Sequence, residues 1–296
     1  MDRESTDELR WTAALPELRE PVLIAAFAGW SDAGQAATFA LQTLVNAWSA
    51  QRFADIEPEN FFDFTESRPT ISLGPTGQRK LRWPKNAFYS HRFENHDRDL
   101  ILLIGTEPQL RWKTFCAHIA TVAAKTHVSC LVTLGALLAD VPHTRETTLT
   151  GFASTQRLLP QLQKLGVRMS TYEGPTGIVG ALHDRWRGTN LPAISLWGNV
   201  PHYISATPNP QVALALLRRV AVLMGTPLPV GPLERHARAF GRQVDEALKE
   251  NPEAQEYVQE LEEQHAEEEA PVDAPGLIEA LEEFLRTTRP SEGTSE

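Results

Sequence analysis

The chain has 296 residues, 42% of them hydrophobic, a length and apolar share that suit one large globular domain or two small ones. The net charge of −10 is uneven: residues from Asp245 onward carry 17 acidic and 3 basic side chains, net −14, and residues 1–244 carry 25 basic and 21 acidic, net +4. Such a C-terminal segment repels nucleic acid and anionic membranes, so neither is expected as a partner. No apolar run reaches the ~20 residues that span a bilayer, and MDRESTDELRW is too charged for a secretory signal, so the expected location is the cytoplasm. Cys116 and Cys130 are too few for a disulfide framework and read as small buried hydrophobes.

Residues 1–20 read as an N-terminal segment. From Pro21, strand-like and helix-like runs alternate. PVLIAAF (Pro21 to Phe27), DLILLIGTE (Asp99 to Glu107), VSCLVTLGALL (Val128 to Leu138) and LPAISLWGNV (Leu191 to Val200) are continuous, branched apolar runs of the kind buried on both faces of a parallel sheet. GVRMSTYE (Gly166 to Glu173) is a shorter candidate. Helical periodicity fills Ala33 to Trp48, Arg111 to Lys125, Thr155 to Leu165 and Ile178 to Trp186. This alternation predicts an α/β fold, a mostly parallel sheet with helices on both sides. Between Arg52 and Phe93, short Pro- and Gly-separated runs predict antiparallel strands inserted in the sheet or beside it.

After Tyr203 the pattern turns helical. Asn209–Pro210 predicts an N-cap and first turn, with Gly225 as the C-cap. Further helices are expected over Gly231 to Lys249, from Asn251–Pro252, and after Asp273, where Leu277, Ile278, Leu281, Phe284 and Leu285 form one stripe. His265 to Gly276 reads as a linker. The expected domains are therefore 21–226 for the α/β body, 227–288 for a helical C-terminal extension, and 289–296 for a disordered tail.

Four turns carry candidate chemistry. In FAGWSDAGQAAT, Gly29 and Gly34 have the spacing of a phosphate loop, but Gln35 and Ala36 stand where Lys and Ser/Thr belong, and Trp30 fills the turn. Asp32 there fits a helix cap better than a phosphate contact. In YEGPTGIVGALHDRW, Gly174 and Gly177 turn a strand edge into a helix, and Glu173 is a candidate general acid. In LLADVPHTRETTLTG, His143 and Arg145 could hold an anion, Arg145 as the fork. In WGNVPHYISATPNP, His202 follows a strand and faces the edge expected to hold Asp32, Glu107 and Glu173. No HxH, HxxxH, CxxC or GxSxG is present, so neither a metal nor a cofactor is expected. By the rule that ligands sit at strand carboxyl ends, the turns at Phe27–Gly29, Gly105–Glu107, Gly135, Tyr172–Gly174 and Trp197–Gly198 are expected on one edge, around a cavity richer in carboxylates than in basic groups.

FAGWSDAGQAA, DVPHTR, YEGPTGIVGALHD, LPAISLWGNVPHYI and PNPQVALALLRR together resemble the actinobacterial branch of the PAC2 family, named after proteasome assembly chaperone 2, over Pro21 to Leu217. The resemblance implies a three-layer α/β/α sandwich similar to the nucleoside phosphorylase-like fold, with no established catalytic residues to carry over. It also implies protein partners, proteasome subunits or assembly factors, and a homo-oligomer, with a trimer as the candidate stoichiometry. Family chaperones often end in a hydrophobic–Tyr–any docking tail; this chain ends Thr294–Ser295–Glu296, so docking by that tail is not expected. Some relatives have been labelled ATP-grasp or carboxylate–amine ligases, a label that no lysine-bearing glycine loop here supports. The leading reading is a non-enzymatic assembly chaperone or adaptor. The alternative is a small-molecule-binding enzyme, a ligase or hydrolase of unassigned substrate, working in the strand-end cleft.

Overall fold

The structure is a computed structural model and describes residues 8–269. In chain order its elements are β1 (Leu9–Trp11), β2 (Val22–Ala28), α1 (Ala36–Trp48), β3 (Gln51–Ile56), β4 (Thr70–Leu73), β5 (Arg79–Arg82), β6 (Asn86–His91), β7 (Leu100–Thr106), α2 (Trp112–Lys125) and β8 (Cys130–Ala139). They continue with β9 (Leu149–Ala153), α3 (Leu159–Lys164), β10 (Val167–Met169), α4 (Ile178–Arg187), β11 (Ala193–Pro201), α5 (Pro210–Met224), α6 (Gly231–Lys249) and α7 (Pro252–Glu269).

Nine strands form one sheet in the order β1-β3-β6-β7-β2-β8-β11-β9-β10. The four apolar runs are its centre: β7, β2, β8 and β11 are mutually parallel. Pleating sends successive side chains to opposite faces. Along β2, Val22, Ile24 and Ala26 pack with α1, α3, α5 and the start of α6, while Leu23, Ala25 and Phe27 pack with α2 and α4. All six side chains are essentially buried, at roughly 1.5–3 kcal/mol for each large one. The result is the expected α/β/α sandwich, and the 52–93 insertion resolves into both anticipated forms. β3 and β6 join the sheet antiparallel, and β4 and β5 make a separate hairpin.

Three features depart from the sequence reading. The N-terminal segment contributes β1, antiparallel to β3. LTGFA, read as part of a loop, is β9, antiparallel to β11, and β10 runs parallel to β9, so both run against the central four. His265, read as the start of a linker, lies on α7 and is buried. The helix continues because residues 253–269 carry no Gly or Pro, and Val258, Leu261 and His265, at i, i+3 and i+7, share its buried face. The stripe from Leu277 to Leu285 and the tail after residue 288 lie outside the described residues.

Capping explains the helix starts. The Asn209 Oδ1 accepts from the backbone N–H of Gln211 and Val212, both at 3.1 Å, and Gly225 ends α5 at φ +66°. α6 spans the residues the periodicity predicts.

Candidate functional site

The Gly29 and Gly177 turns meet through Glu107. Glu107 follows β7, and its backbone N–H donates to Ala28 O at 2.8 Å, tying it to the end of β2. Its Oε1 accepts from Ile178 N at 2.7 Å, the first N–H of α4, and its Oε2 accepts from Trp30 N at 3.2 Å. A carboxylate at a helix N-terminus satisfies an orphan N–H and complements the helix dipole. Glycine flanks it on both sides. Gly29 sits at φ +132°, and a Cβ at Gly177 would lie 2.5 Å from Glu107 Oε1.

Asp32 is also a cap. It is buried, its Oδ1 accepts from Ala37 N at 2.7 Å and Thr38 N at 3.3 Å, and its Oδ2 takes the Thr38 hydroxyl. Burial pushes its carboxyl above the usual range, and the Thr38 and amide contacts counteract this. Gly34, at φ +58°, lies where a Cβ would come within 3.1 Å of the Asn209 Cβ, and its carbonyl accepts from Asn209 N at 2.8 Å. The Gly29–Gly34 turn is thus a corner that seats three helix starts, α1, α4 and α5.

Beside Glu107 an open cleft of about 440 Å3 remains, lined by Gly29, Trp30, Thr106, Pro108, Trp112 and the Pro175–Gly177 turn, among others. Among the described residues Glu107 is the one ionisable group lining it. Trp30 is 63% exposed, and Trp112 is held in place by its indole N–H to Pro108 O at 2.6 Å. Aromatic and proline surface around an open groove, with its carboxylate already bonded, suits contact better than proton transfer.

The structure separates the remaining candidates. Glu173 and Gly174 lie on the exposed loop that returns from β10 toward Gly177. Because β10 runs against the four central strands, Glu173 does not follow the carboxyl end of one of them, a correction to the sequence reading. His202 is on the edge where β8 and β11 end, but it contacts Asp140 at 3.0 Å and Tyr257 at 3.4 Å rather than the Glu107 cleft. His143 is not presented to an anion. It is buried, its backbone N–H donates to Tyr203 Oη at 2.8 Å, its Nδ1 lies 2.8 Å from the same hydroxyl, and its Nε2 is 3.1 Å from Asp245. It ties the loop after β8 to α6. Burial pushes the Tyr203 phenol up to about 12, so that hydroxyl stays protonated. Arg145, two residues on, is exposed.

Sequence reasoning missed Pro108. It adjoins Glu107, which was singled out, and the adjacency of strand-end turns is the signal that reaches it. Sequence reasoning also missed a buried chain: Trp197 Nε1 and Thr133 Oγ1 each donate to Ser195 Oγ at 2.8 Å, and His183 Nε2 is 2.8 Å from Thr133 Oγ1. Among the described residues no three His, Cys, Asp or Glu converge on a point that could hold a metal ion, and no helix is long and apolar enough to cross a membrane.

Comparison with known proteins fits this geometry. The model of the PAC2 family matches residues 26–248. A PAC2 family protein from Streptomyces avermitilis is 41% identical, with a TM-score of 0.73 over 80% of this chain and 99% of its own. A proteasome-assembly chaperone homologue from Mycobacterium tuberculosis is 39% identical, with a TM-score of 0.72 over the same shares. An archaeal proteasome activator from Pyrococcus furiosus shares the fold at 17% identity, with a TM-score of 0.65 over 82% of this chain and 99% of its own. No curated protein matches the chain. The Gly29, Asp32 and Gly177 turns lie within the matched region, which takes in β7, β8 and β11 whole and the end of β2, and the chain belongs to the PAC2 family.

Proposed function

We propose that this protein is a non-enzymatic assembly chaperone or adaptor whose partners are proteins of the proteasome system, core subunits or assembly factors. The observation that carries the reading is the state of the strand-end cleft. Its carboxylate caps α4, and the remaining lining is Trp30, Trp112, Pro108, Pro175, Gln109 and small residues. An exposed tryptophan, Trp30, beside the half-buried Trp112 supplies the large, low-entropy kind of anchor that dominates protein interfaces. The similarity to a mycobacterial assembly chaperone homologue supplies the kind of partner. The site of action in this reading is the cytoplasm, and the active form is a homo-oligomer with a trimer as the candidate stoichiometry.

The test mixes the purified protein with separately purified proteasome α and β subunits from the same organism and follows assembly by native mass spectrometry. The reading expects a complex with free subunits or half-assembled cores that is absent from the finished particle. Assembly at the same rate, with no such complex, would sink it. Light scattering on the protein alone reports its oligomeric mass.

A further inference from the structure

We propose that the hollow between the loop after β8 and helix α6 binds a small anion bearing two or more oxyanion groups, phosphate or carboxylate, through Arg145, Arg238 and Arg242. Two adjoining hollows of about 350 and 340 Å3 share Gln211, Ala237 and Arg238. Arg145 lines the first, with Arg218 and Arg219, and Arg242 lines the second. On α6, Arg238 and Arg242 are one turn apart and present guanidinium groups along the same groove.

Positive charge is left over in the hollows. Glu146 pairs with Arg219 at 3.0 Å and Glu234 with Arg218 at 3.1 Å, while Asp245 is hydrogen-bonded to His143 at 3.1 Å, so five guanidinium groups line the hollows against three carboxylates. Among the described residues no ion pair or hydrogen bond engages the side chains of Arg145, Arg238 or Arg242. Three guanidinium groups gathered on one concavity, in a chain of net charge −10, repel one another unless an anion joins them. A guanidinium stays charged at any working pH and takes phosphate or carboxylate as a two-pronged fork. A string of three along a groove matches more than one oxyanion on a single ligand.

The walls are built rather than loose. His143 pins the loop to Tyr203 and Asp245, and the Gln211 Nε2 donates to His143 O at 3.4 Å, tying the loop to α5. Gly241 sits mid-helix on α6, where glycine weakens a helix. A Cβ there would lie 3.1 Å from Gln211 Nε2, and its absence keeps the groove floor between Arg238 and Arg242 open. None of these residues lines the Trp30 cleft, so the proposal stands apart from the chaperone reading.

The test is isothermal titration of the full chain with pyrophosphate and, separately, citrate, at about 0.15 M salt, where exposed charges are screened beyond ~8 Å. The expected result is one-site saturable binding of one or both, with Kd tighter than ~1 mM. R145Q, in the loop, and R238Q, on α6, should each weaken it at least tenfold, and R92Q, on a distant strand end, should leave it unchanged. Pyrophosphate alone binding assigns a phosphate ligand, and citrate alone a carboxylate; either supports the proposal. No saturation by either anion overturns it, as does equal binding by R145Q and wild type. R145Q keeps the test decisive if R238Q fails to fold, because Arg145 is exposed on a loop and makes no contact that holds the fold.

Discussion

Glu107 distinguishes a capping role from a catalytic one, and the structure sets the size of the effect. In Glu107→Ala the Ile178 N–H loses its 2.7 Å acceptor and the Trp30 N–H its 3.2 Å acceptor. Trp30 is exposed and can turn its N–H to water, whereas Ile178 is buried at the start of α4. Losing a helix cap costs about 1 kcal/mol, within a range of roughly 0.5–2. Losing the negative charge at the helix N-terminus adds roughly 0.3–1 kcal/mol. The sum, about 0.8–3 kcal/mol, lowers Tm by roughly 2–12 °C at about 2–4 °C per kcal/mol in a domain of this size. Glu107→Gln keeps one amide oxygen for Ile178 and should lose about half as much. Calorimetry near neutral pH reads both variants. An unchanged Tm in Glu107→Ala would refute the clamp and return Glu107 to the catalytic candidates.

Four further outcomes follow from the same contacts. His183 is pushed down to about 4 by burial, with Arg187 adding to the effect, so the folded protein holds it neutral. The stability this contributes is complete above the unfolded value near 6.5 and is lost as pH falls toward 4, up to roughly 3 kcal/mol; denaturant melts from about pH 7.5 to 4 should show that loss, reduced in His183→Gln. Cys116 and Cys130 are pushed up to about 12 and about 11 by burial, so alkylation at about pH 8 should run more than ~100-fold slower in the native protein than in the unfolded chain. Leu261, buried on α7, should cost ~2–5 kcal/mol of local stability as Leu261→Ala, seen as faster amide exchange in α7 with the sheet amides unchanged. Asp32→Asn should melt closer to wild type than Asp32→Ala, because an amide oxygen can still accept the Ala37 N–H and burial already disfavours the charge; equal losses would contradict the cap.

The body of the fold is legible in the sequence because its determinants are local. The apolar runs give β2, β7, β8 and β11, the Asn209–Pro210 step gives the start of α5, and Gly231 to Lys249 is α6 to the residue. Strand direction is a tertiary property. LTGFA is short and holds a glycine, and nothing in it states that it will lie antiparallel to β11, so the position of Glu173 was misread with it. The site was legible in its parts and not in its pairings. Gly29, Trp30, Glu107 and Gly177 were all singled out, yet the bond between Glu107 and Ile178 joins positions 71 apart, and only the folded chain shows that it closes. His143 shows the converse. Its polar neighbours suggest a solvent-facing anion ligand, and the Tyr203 and Asp245 contacts that bury it come from elements 60 and 102 residues away.

The central claim, that the Trp30 cleft receives a protein partner of the proteasome system, is tested most directly by measuring the affinity of the wild type and of Trp30→Ala for isolated proteasome core subunits from the same organism. Trp30 is 63% exposed, so its removal spares the fold and tests the surface alone. The account predicts binding by the wild type and a loss of at least ~30-fold in Trp30→Ala, the scale of a hot-spot residue, with an unchanged Tm. Absence of binding by the wild type, or equal affinity in the variant, would contradict it.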